Sequence, residues 1–299
     1  MKNRKSYRNI ISGLVIAIIA FVLIMIRIKE NLNVFMPHDD DVVVQGQTGD
    51  TSISSENIDL SLIEVNDEFF NSMNEKELLN YKVINSIDYF DTVEGEIVSF
   101  GTYFNDTVKY IIDIKNNRSV THIKSSEQDI DEFFNNDVCK ELDNKDKTYQ
   151  DMRVSEYNKE ELYNLRKLKP KQRYGNNGLM QIRNNGILVG MAWQSILAEE
   201  FLASYLQDYD QWNIEGSEEF IGRKCTKISG KRDCVDTRTK AEKYTALIDD
   251  ETGVVLKYDE MDASGKAVNG FETKYIKYNE TYDPEIFKIS TEGYTEKVY

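Results

Sequence analysis

Two of the three cysteines in this chain stand close together in the stretch GRKCTKISGKRDC, where Cys225 and Cys234 are separated by eight residues. Thiols can form disulfides, bind metals or act as redox groups, and their spacing selects among these uses. A redox pair normally has C-x-x-C spacing, and a zinc site needs two such pairs or histidines. Neither pattern is present, so the sequence predicts a Cys225–Cys234 disulfide if this segment lies outside the cytoplasm. Cys139 is left over, either buried or the true partner of one of the others.

Histidines and recognised catalytic motifs are scarce, although carboxylates are abundant. The chain has only two histidines, His38 and His122, so a Ser-His-Asp or Cys-His arrangement has one plausible base. The motifs of zinc proteases, P-loop NTPases, α/β-hydrolases and dinucleotide-binding folds are absent. His38 precedes three consecutive aspartates, which cannot all converge on one ion, so this run is interpreted as hydrated chain. The sequence therefore predicts that the protein is not an enzyme and has no catalytic residue, metal or cofactor.

The charge balance limits the partners. A net charge of −15 and a pI near 4.8 give a surface that repels phosphate backbones, so nucleic acid is not expected as a partner. Hydrophobic residues still make up 40% of the chain, which is enough for a sizeable core.

The N-terminus has the pattern of a membrane anchor. Four basic residues precede an apolar run over residues 10–26, which as a helix would be roughly 26 Å long at ~1.5 Å per residue, just enough to cross a hydrocarbon core. No small-residue cleavage step follows, which disfavours a cleaved signal peptide, and the charged flanks disfavour a buried core helix. The sequence predicts a cytoplasmic tail over residues 1–9 and a transmembrane signal anchor over residues 10–28. By the positive-inside rule, everything after the anchor is then extracytoplasmic, on a single-pass membrane protein.

The rest of the chain divides into a tether and one domain. Residues 29–65 are polar and lack helical or strand periodicity, which is typical of a flexible linker. Within them VVV at residues 42–44 is a candidate edge strand. Residues 66–299 form the predicted extracytoplasmic domain, because one large sheet can reach that size as a single unit.

Helical spacing occurs in four segments of this domain. In residues 72–90, Ser72 and Glu75 have capping-box spacing and precede a stripe of apolar residues three or four apart. The segment MAWQSILAEEFLASYLQDY has one apolar face and predicts a second helix. Weaker patterns predict helices in QDIDEFFNNDVCKELD, residues 128–143, and in KEELYNLRKLK, which would end before Pro170.

Most of the remaining domain has strand signals. Strict alternation of apolar and polar residues over short runs, with turns such as Asn116-Asn117 between them, predicts an antiparallel sheet with one face on a core. The predicted strands are EGEIVSFGTYF, TVKYIIDIK, RSVTHIK, WNIEG, EEFIGRKCTKISG, AEKYTALIDD, GVVLKYDEMD and AVNGFETKYIKYN.

The helix NEKELLNYKVINSIDYFDTVEGEIVSF and the later run from WNIEGSEEFIGRKCTKISG to FETKYIKYN resemble the LolA-like superfamily of outer-membrane lipoprotein carriers. This superfamily includes the extracytoplasmic sigma-factor regulators of the RseB and MucB type. The Gly222-Arg223 pair, the IDDETGVVLKY strand and the Asp-Pro-x-x-Phe segment ending at Phe287 are similar to its C-terminal half. The low proline content and the many asparagines and lysines are typical of a low-GC Gram-positive bacterium, which has a cell envelope without an outer membrane.

The resemblance implies an α+β fold, in which a large curved antiparallel sheet forms an unclosed half-barrel packed with helices around an apolar cavity. The broad apolar faces of the predicted helices are consistent with this fold, because these faces need a sheet to cover them. Each candidate lining residue also has the simpler interpretation of a core residue. The candidate ligand-pocket residues are Leu79, Val83, Ile87, Trp193, Leu197 and Phe201.

Three functions follow from these observations. The leading prediction is a membrane-anchored extracytoplasmic binding or sensing module, which takes a lipid or another envelope-derived apolar ligand or docks on a membrane protein. The alternative is a structural or interaction protein of the cell envelope with no small-molecule ligand. The third, an enzyme acting on the envelope, is disfavoured by the scarcity of catalytic groups.

Overall fold

A computed structural model describes residues 63–136, 138–152, 164–174, 190–197, 202–232 and 239–297. The predicted cytoplasmic tail, the signal anchor and nearly all of the tether, with its candidate edge strand, lie outside these residues. Among the helices that the structure describes, none is long and apolar enough to cross a membrane.

The described residues form one large sheet. The strands over residues 92–100, 105–113 and 118–124 alternate buried and more exposed side chains, as expected for a sheet with one face on a core. The strands are β1 (Thr92–Phe100), β2 (Asn105–Asp113), β3 (Arg118–Lys124), β4 (Asp129–Asn135), β5 (Val138–Asp143), β6 (Thr148–Asp151), β7 (Trp212–Phe220), β8 (Arg223–Lys231), β9 (Lys243–Asp249), β10 (Val255–Met261), β11 (Ala267–Tyr278) and β12 (Thr295–Glu296).

The strand order across the sheet is β12-β6-β5-β4-β3-β2-β1-β11-β10-β9-β8-β7. Sequence neighbours pair antiparallel in two meanders, β1 to β6 and β7 to β11, and the pairing of β1 with β11 joins them. Among the strands that the structure describes, only the short β12 pairs parallel, on β6. In the described part of the chain, β7 and β12 form two free edges, so the sheet is unclosed. The predicted large antiparallel sheet is confirmed, and the strand segments proposed after Trp212 form the second meander.

Short helices cover one face of the sheet. They are α1 (Asp67–Asn71), α2 (Glu75–Ile84), α3 (Trp193–Ile196) and α4 (Leu202–Leu206). The predicted capping box of α2 is displaced: Asn74 is the N-cap, and its side chain accepts a hydrogen bond from the backbone N–H of Glu77 at 3.0 Å. Ser72 instead ends α1, where its N–H donates to backbone carbonyls of that helix.

The predicted helix over residues 128–143 is wrong, because this segment is the β4–β5 hairpin. Its apolar residues are four apart, and four is a multiple of the strand period of two as well as close to one helical turn. Asn136 takes a positive φ of 55° and reverses the chain. The reversal puts Ile130 and Phe134 on the helix-covered face, while Leu142, paired with Asp131, lies on the other face.

The other two helix predictions are met in part. The described end of the segment 159–169 is a 3-10 turn, Leu165–Lys167, and Pro170 begins a second 3-10 turn instead of ending a helix. Proline is accepted there because the first N–H groups of a helix have no intrahelical partner. Within residues 191–209, α3 and α4 are described, and residues 198–201 between them lie outside the described part.

The core lies between the helices and the sheet in two clusters. The first core cluster packs Ala192, Ile196 and Leu197 on the middle of the sheet, where Val93, Ile97, Val108 and Ile112 are fully buried. The second core cluster packs α2 and α4 on the β7–β11 half, around the following buried residues: Leu79, Val83, Leu202, Leu206, Trp212, Ile228, Tyr244, Ala246, Ile248, Val255, Tyr258 and Phe271.

Candidate functional site

The predicted ligand-pocket residues are divided between the two clusters. Leu79 and Val83 belong to the second core cluster, and Ile87 and Leu197 belong to the first. Trp193 is half-buried and packs against the first cluster. Phe201 lies outside the described residues. In the described part, the four aliphatic side chains are buried against the sheet, and their role as ligand contacts stays a prediction.

Leu79 also borders an open cleft, which we call the α2 cleft. It lies between α2 and the β7–β8 edge of the sheet and has a volume of about 210 Å³. Leu78 and Leu79 come from α2, and Ile214 comes from β7. The remaining lining residues are Glu75, Lys82, Thr226 and Asp250.

The rim of the α2 cleft is polar. The Lys82 ammonium donates to the carbonyl of Asp250 at 2.6 Å, and the Thr226 hydroxyl donates to the Asp250 carboxylate at 2.7 Å. Lys224 approaches the same carboxylate at 3.4 Å. The cleft therefore has an apolar floor and a rim of ordered charges, an arrangement that suits an amphiphile or an apolar side chain flanked by polar groups.

A row of polar side chains crosses the helix-covered face at the other half of the sheet. Thr121 pairs with Glu132, Glu132 with Glu141, and Glu141 with Gln150, so these residues stand side by side on β3 to β6. We call this set the polar row. Gln150 donates to Glu141 at 2.9 Å. Neighbours in the row lie within side-chain contact because directly paired residues have Cβ atoms about 5 Å apart.

Glu132 is the perturbed member of the polar row. Burial, together with the nearby Glu141 carboxylate, raises the pKa of Glu132 to about 7. Its Oε2 atom is buried and has no hydrogen-bond partner. Gly190, whose φ is +50°, lies close to this oxygen, because a Cβ atom added at Gly190 would collide with it. Glu132 is thus held protonated over much of the acid range by its surroundings.

The described cysteines are buried and are not bonded to each other. Burial raises the pKa of both Cys139 and Cys225 to about 12, with further contributions from nearby carboxylates. Thiols of this kind are poor nucleophiles, because the thiolate is the reactive form. Cys234 lies outside the described residues, so its pairing with Cys225 stays a prediction.

His122 is held by carboxylates. Its Nδ1 lies 2.6 Å from Asp131 Oδ1, and its Nε2 faces Asp129 Oδ1 at 3.9 Å. Both ring nitrogens thus face carboxylates, which orient the ring.

Glu132 is not among the site residues predicted from the sequence. Its signal was hidden by the helix prediction for residues 128–143. In a strand, DIDEFFN puts Glu132 on the same face as Ile130 and Phe134, and a glutamate between two inward-facing apolar residues is the pattern that would have marked it.

No protein-family model matches the chain. A comparison with curated proteins also gives no match. Solved structures with a similar fold include a Pseudomonas aeruginosa MucA/MucB complex, at 10% identity and a TM-score of 0.44, with 73% of this chain and 62% of that chain covered.

For two further similar structures, the match to this chain extends over nearly the whole of the other chain. The Mycobacterium tuberculosis lipoprotein LppX is 12% identical, with 70% of this chain and 99% of that chain covered and a TM-score of 0.38. A LolA superfamily protein from Nitrosomonas europaea is 11% identical, with 72% and 97% covered and a TM-score of 0.25. The structures to which this chain is similar therefore include a MucB complex and a LolA superfamily protein, at identities of 10% and 11% and TM-scores of 0.44 and 0.25.

Proposed function

We propose that this chain is a membrane-anchored extracytoplasmic binding module, whose α2 cleft holds the end of an apolar chain such as the acyl chain of a lipid. The observation that carries the proposal is the open apolar floor formed by Leu78, Leu79 and Ile214 beside a rim of ordered charges. Leu78 and Ile214 are only half-buried, so a ligand that covers them removes further apolar surface from water.

The size of the cleft limits what it takes. A volume of about 210 Å³ is below the roughly 300–1,000 Å³ of sites that enclose a whole drug-sized ligand. The ligand therefore inserts one end and leaves its polar part at the rim, where Lys82 and Asp250 lie. This geometry favours an amphiphile over a fully apolar molecule.

A photoactivatable diazirine fatty acid tests the proposal on the full chain in lipid nanodiscs. We expect adducts, mapped by mass spectrometry, to concentrate on the α2 cleft, and Leu78→Gln to lower their yield several-fold. Ile221→Gln is the matched control, because Ile221, like Leu78, is an apolar residue that is not buried, but it lies away from the cleft. Equal yields for the two variants, or adducts spread over the surface, would contradict the proposal.

The topology has its own test. Cys225 is buried and is a poor reporter of sidedness, whereas Glu219 is exposed on β7. We expect Glu219→Cys, in a chain that also carries Cys234→Ser, to react with a membrane-impermeant maleimide in intact cells, and the chain with Cys234→Ser alone to react much less. Labelling that requires permeabilised cells would put the domain inside and refute the extracytoplasmic placement.

The proposal is one of binding without catalysis. It is supported by the surroundings of the candidate groups in the described residues, where His122 faces carboxylates and the two cysteines are buried with raised pKa values. Turnover of an envelope lipid or glycan by the purified chain, abolished by His122→Ala, would contradict it.

A second candidate function is protein interaction through the free edge at β7. Its backbone has no strand partner on one side in the described chain, and such an edge can accept a strand from another protein. A bulge after Ile214 and the exposed Glu215, Glu218 and Glu219 discourage self-association. A photo-crosslinking residue at Asn213 should then capture a protein in membranes, and β7 crosslinks without fatty-acid adducts would favour this function.

A further inference from the structure

A second and larger cleft lies at the ends of β1 to β4. It is bounded by the β1–β2 connection, residues 101–104, and by the β3–β4 turn, residues 125–128. Its volume of about 560 Å³ is within the roughly 300–1,000 Å³ of small-molecule sites. We call it the strand-end cleft. Its lining side chains include Thr102, Tyr103, Asn105, Asp106, Ser126 and Gln128.

Asp106 is the unusual residue of the strand-end cleft. It is only 5% exposed, and within the described chain no hydrogen bond or ion pair reaches its carboxylate. Its carboxylate oxygens are not among the fully enclosed polar atoms that lack a hydrogen-bond partner, so they still reach solvent and can accept hydrogen bonds. Asp106 lines the cleft, so its hydrogen-bond acceptors are available to a molecule that enters there.

The groups around Asp106 are also unpartnered. The side-chain amides of Asn105 and Gln128 and the hydroxyls of Thr102 and Ser126 make no hydrogen bond to any described residue. A side-chain amide offers two N–H donors and a carbonyl acceptor, and a hydroxyl offers one donor and can also accept. The cleft therefore presents a carboxylate acceptor next to a mixed set of donors and acceptors, all free to bind a ligand.

Tyr103 supplies an uncovered aromatic ring at the same place. Its side chain is 85% exposed, although aromatic rings usually gain stability from burial. The ring lies on the connection that forms one wall of the cleft, where a ligand bound to Asp106 and its neighbours can pack on it.

These features exclude several classes of ligand. Asp106 and Glu127 give the cleft two carboxylates, which repel anionic ligands such as phosphates. In the described ranges no three acidic, histidine or cysteine side chains come together as a metal site would require. A purely apolar ligand would leave the amides, hydroxyls and carboxylate unpaired. What remains is an uncharged or amine-bearing molecule with many hydroxyl groups.

We infer that the strand-end cleft binds a saccharide, either neutral or containing an amino sugar. Adjacent hydroxyls of a pyranose donate to the Asp106 carboxylate, and a charged acceptor makes these hydrogen bonds stronger than neutral ones. Asn105 and Gln128 bind the remaining hydroxyls. The C–H face of the sugar ring packs on Tyr103, as sugar rings do on aromatic side chains. This site is separate from the α2 cleft and does not depend on the function proposed there.

Calorimetric titration of the full chain in detergent micelles tests the inference with three probes: the tetrasaccharides of glucose, of N-acetylglucosamine and of glucosamine. We expect at least one to bind, Tyr103→Ala to weaken that binding at least tenfold, and Tyr103→Phe to retain it, since stacking needs the ring and not the hydroxyl. Asp106→Asn should weaken binding of the same sugar at least fivefold. Both Tyr103 variants should fold, because the side chain is exposed.

Two controls separate this site from the α2 cleft. Val138→Ala changes an exposed apolar residue outside both clefts and should leave saccharide binding unchanged, as should Leu78→Gln. No measurable binding of any tetrasaccharide, or equal binding by the wild type and Tyr103→Ala, would overturn the inference. Binding of an anionic polymer of galacturonic acid in preference to the three probes would also overturn it.

Discussion

Replacement of Glu132 by glutamine should change how the stability of the protein depends on pH. Burial against Gly190 and Glu141 raises the pKa of Glu132 from 4.5 to about 7 in the native state. In the unfolded chain the carboxyl group returns to its ordinary pKa. The native state therefore binds the proton more tightly than the unfolded state between about pH 4.5 and about pH 7.

This difference in proton binding sets the direction in which stability changes with pH. Because the native state keeps its proton longer, the free energy of unfolding falls as the pH rises through that window and levels off above about pH 7. The gap between the two pKa values corresponds to about 3 kcal/mol, at ~1.4 kcal/mol per unit of pH. Glu132→Gln removes the titrating group and keeps the shape of the side chain, so the variant should not show this loss.

Urea unfolding of the full chain in a non-ionic detergent, at pH 4.5 and at pH 8, measures the effect. Tryptophan fluorescence reports unfolding, because Trp212 is fully buried. We expect the wild type to lose about 3 kcal/mol more than Glu132→Gln between the two pH values. Glu219→Gln, at an exposed position on β7, should behave as the wild type. Parallel pH profiles for the wild type and Glu132→Gln would refute the reasoning.

Three further changes test the packing around the sites. Arg223 is the bidentate partner of Asp249, whose side chain is 1% exposed. Arg223→Ala should therefore lower the free energy of unfolding, measured by urea titration, by about 3 kcal/mol. An unchanged free energy of unfolding would show that the pair is solvated. Gly253 has a φ of +73°, and a Cβ atom at this position would collide with the carbonyl of Lys82 at the end of α2. Gly253→Ala should therefore lower the free energy of unfolding by at least about 2 kcal/mol in the same assay. An unchanged free energy of unfolding would mean that the turn moves freely. Asn74→Ala removes the N-cap of α2 and should cost about 1 kcal/mol, seen as a lower thermal midpoint, while Asn74→Ser should retain most of the stability.

Local patterns in the sequence predicted many of the strands, because alternation of apolar and polar residues is a property of neighbouring positions. Val108, Tyr110 and Ile112 are buried on one face of β2 as their spacing requires. The hairpin at residues 129–143 was predicted wrongly, since four-residue spacing fits both periods and the reversal depends on the conformation of Asn136. The N-cap of α2 was predicted two residues too early, at Ser72 instead of Asn74, because both residue types can cap a helix.

The sites could not be derived in the same way. The polar row depends on the register of four strands, and a shift of one residue would turn Glu132 to the other face. The burial that raises the pKa of Glu132 comes partly from Gly190, which is far away in sequence. In the sequence, Asp106 cannot be distinguished from the many other carboxylates of an acidic chain. It stands out only in the structure, where residues of two separate loops line a cleft beside it.

The amino-acid sequence by itself determined an acidic chain with an anchor-like N-terminus, an amphipathic helix near residue 80 and a run of antiparallel strands, because each of these follows from composition or short-range periodicity. Only the tertiary structure decided that β1 pairs with β11, that α2 leaves an apolar cleft beside β7, and that Asp106 is buried without a partner. The physical reason is range: periodicity acts over a few residues, whereas burial and unmet hydrogen bonds depend on which distant segments the fold brings together.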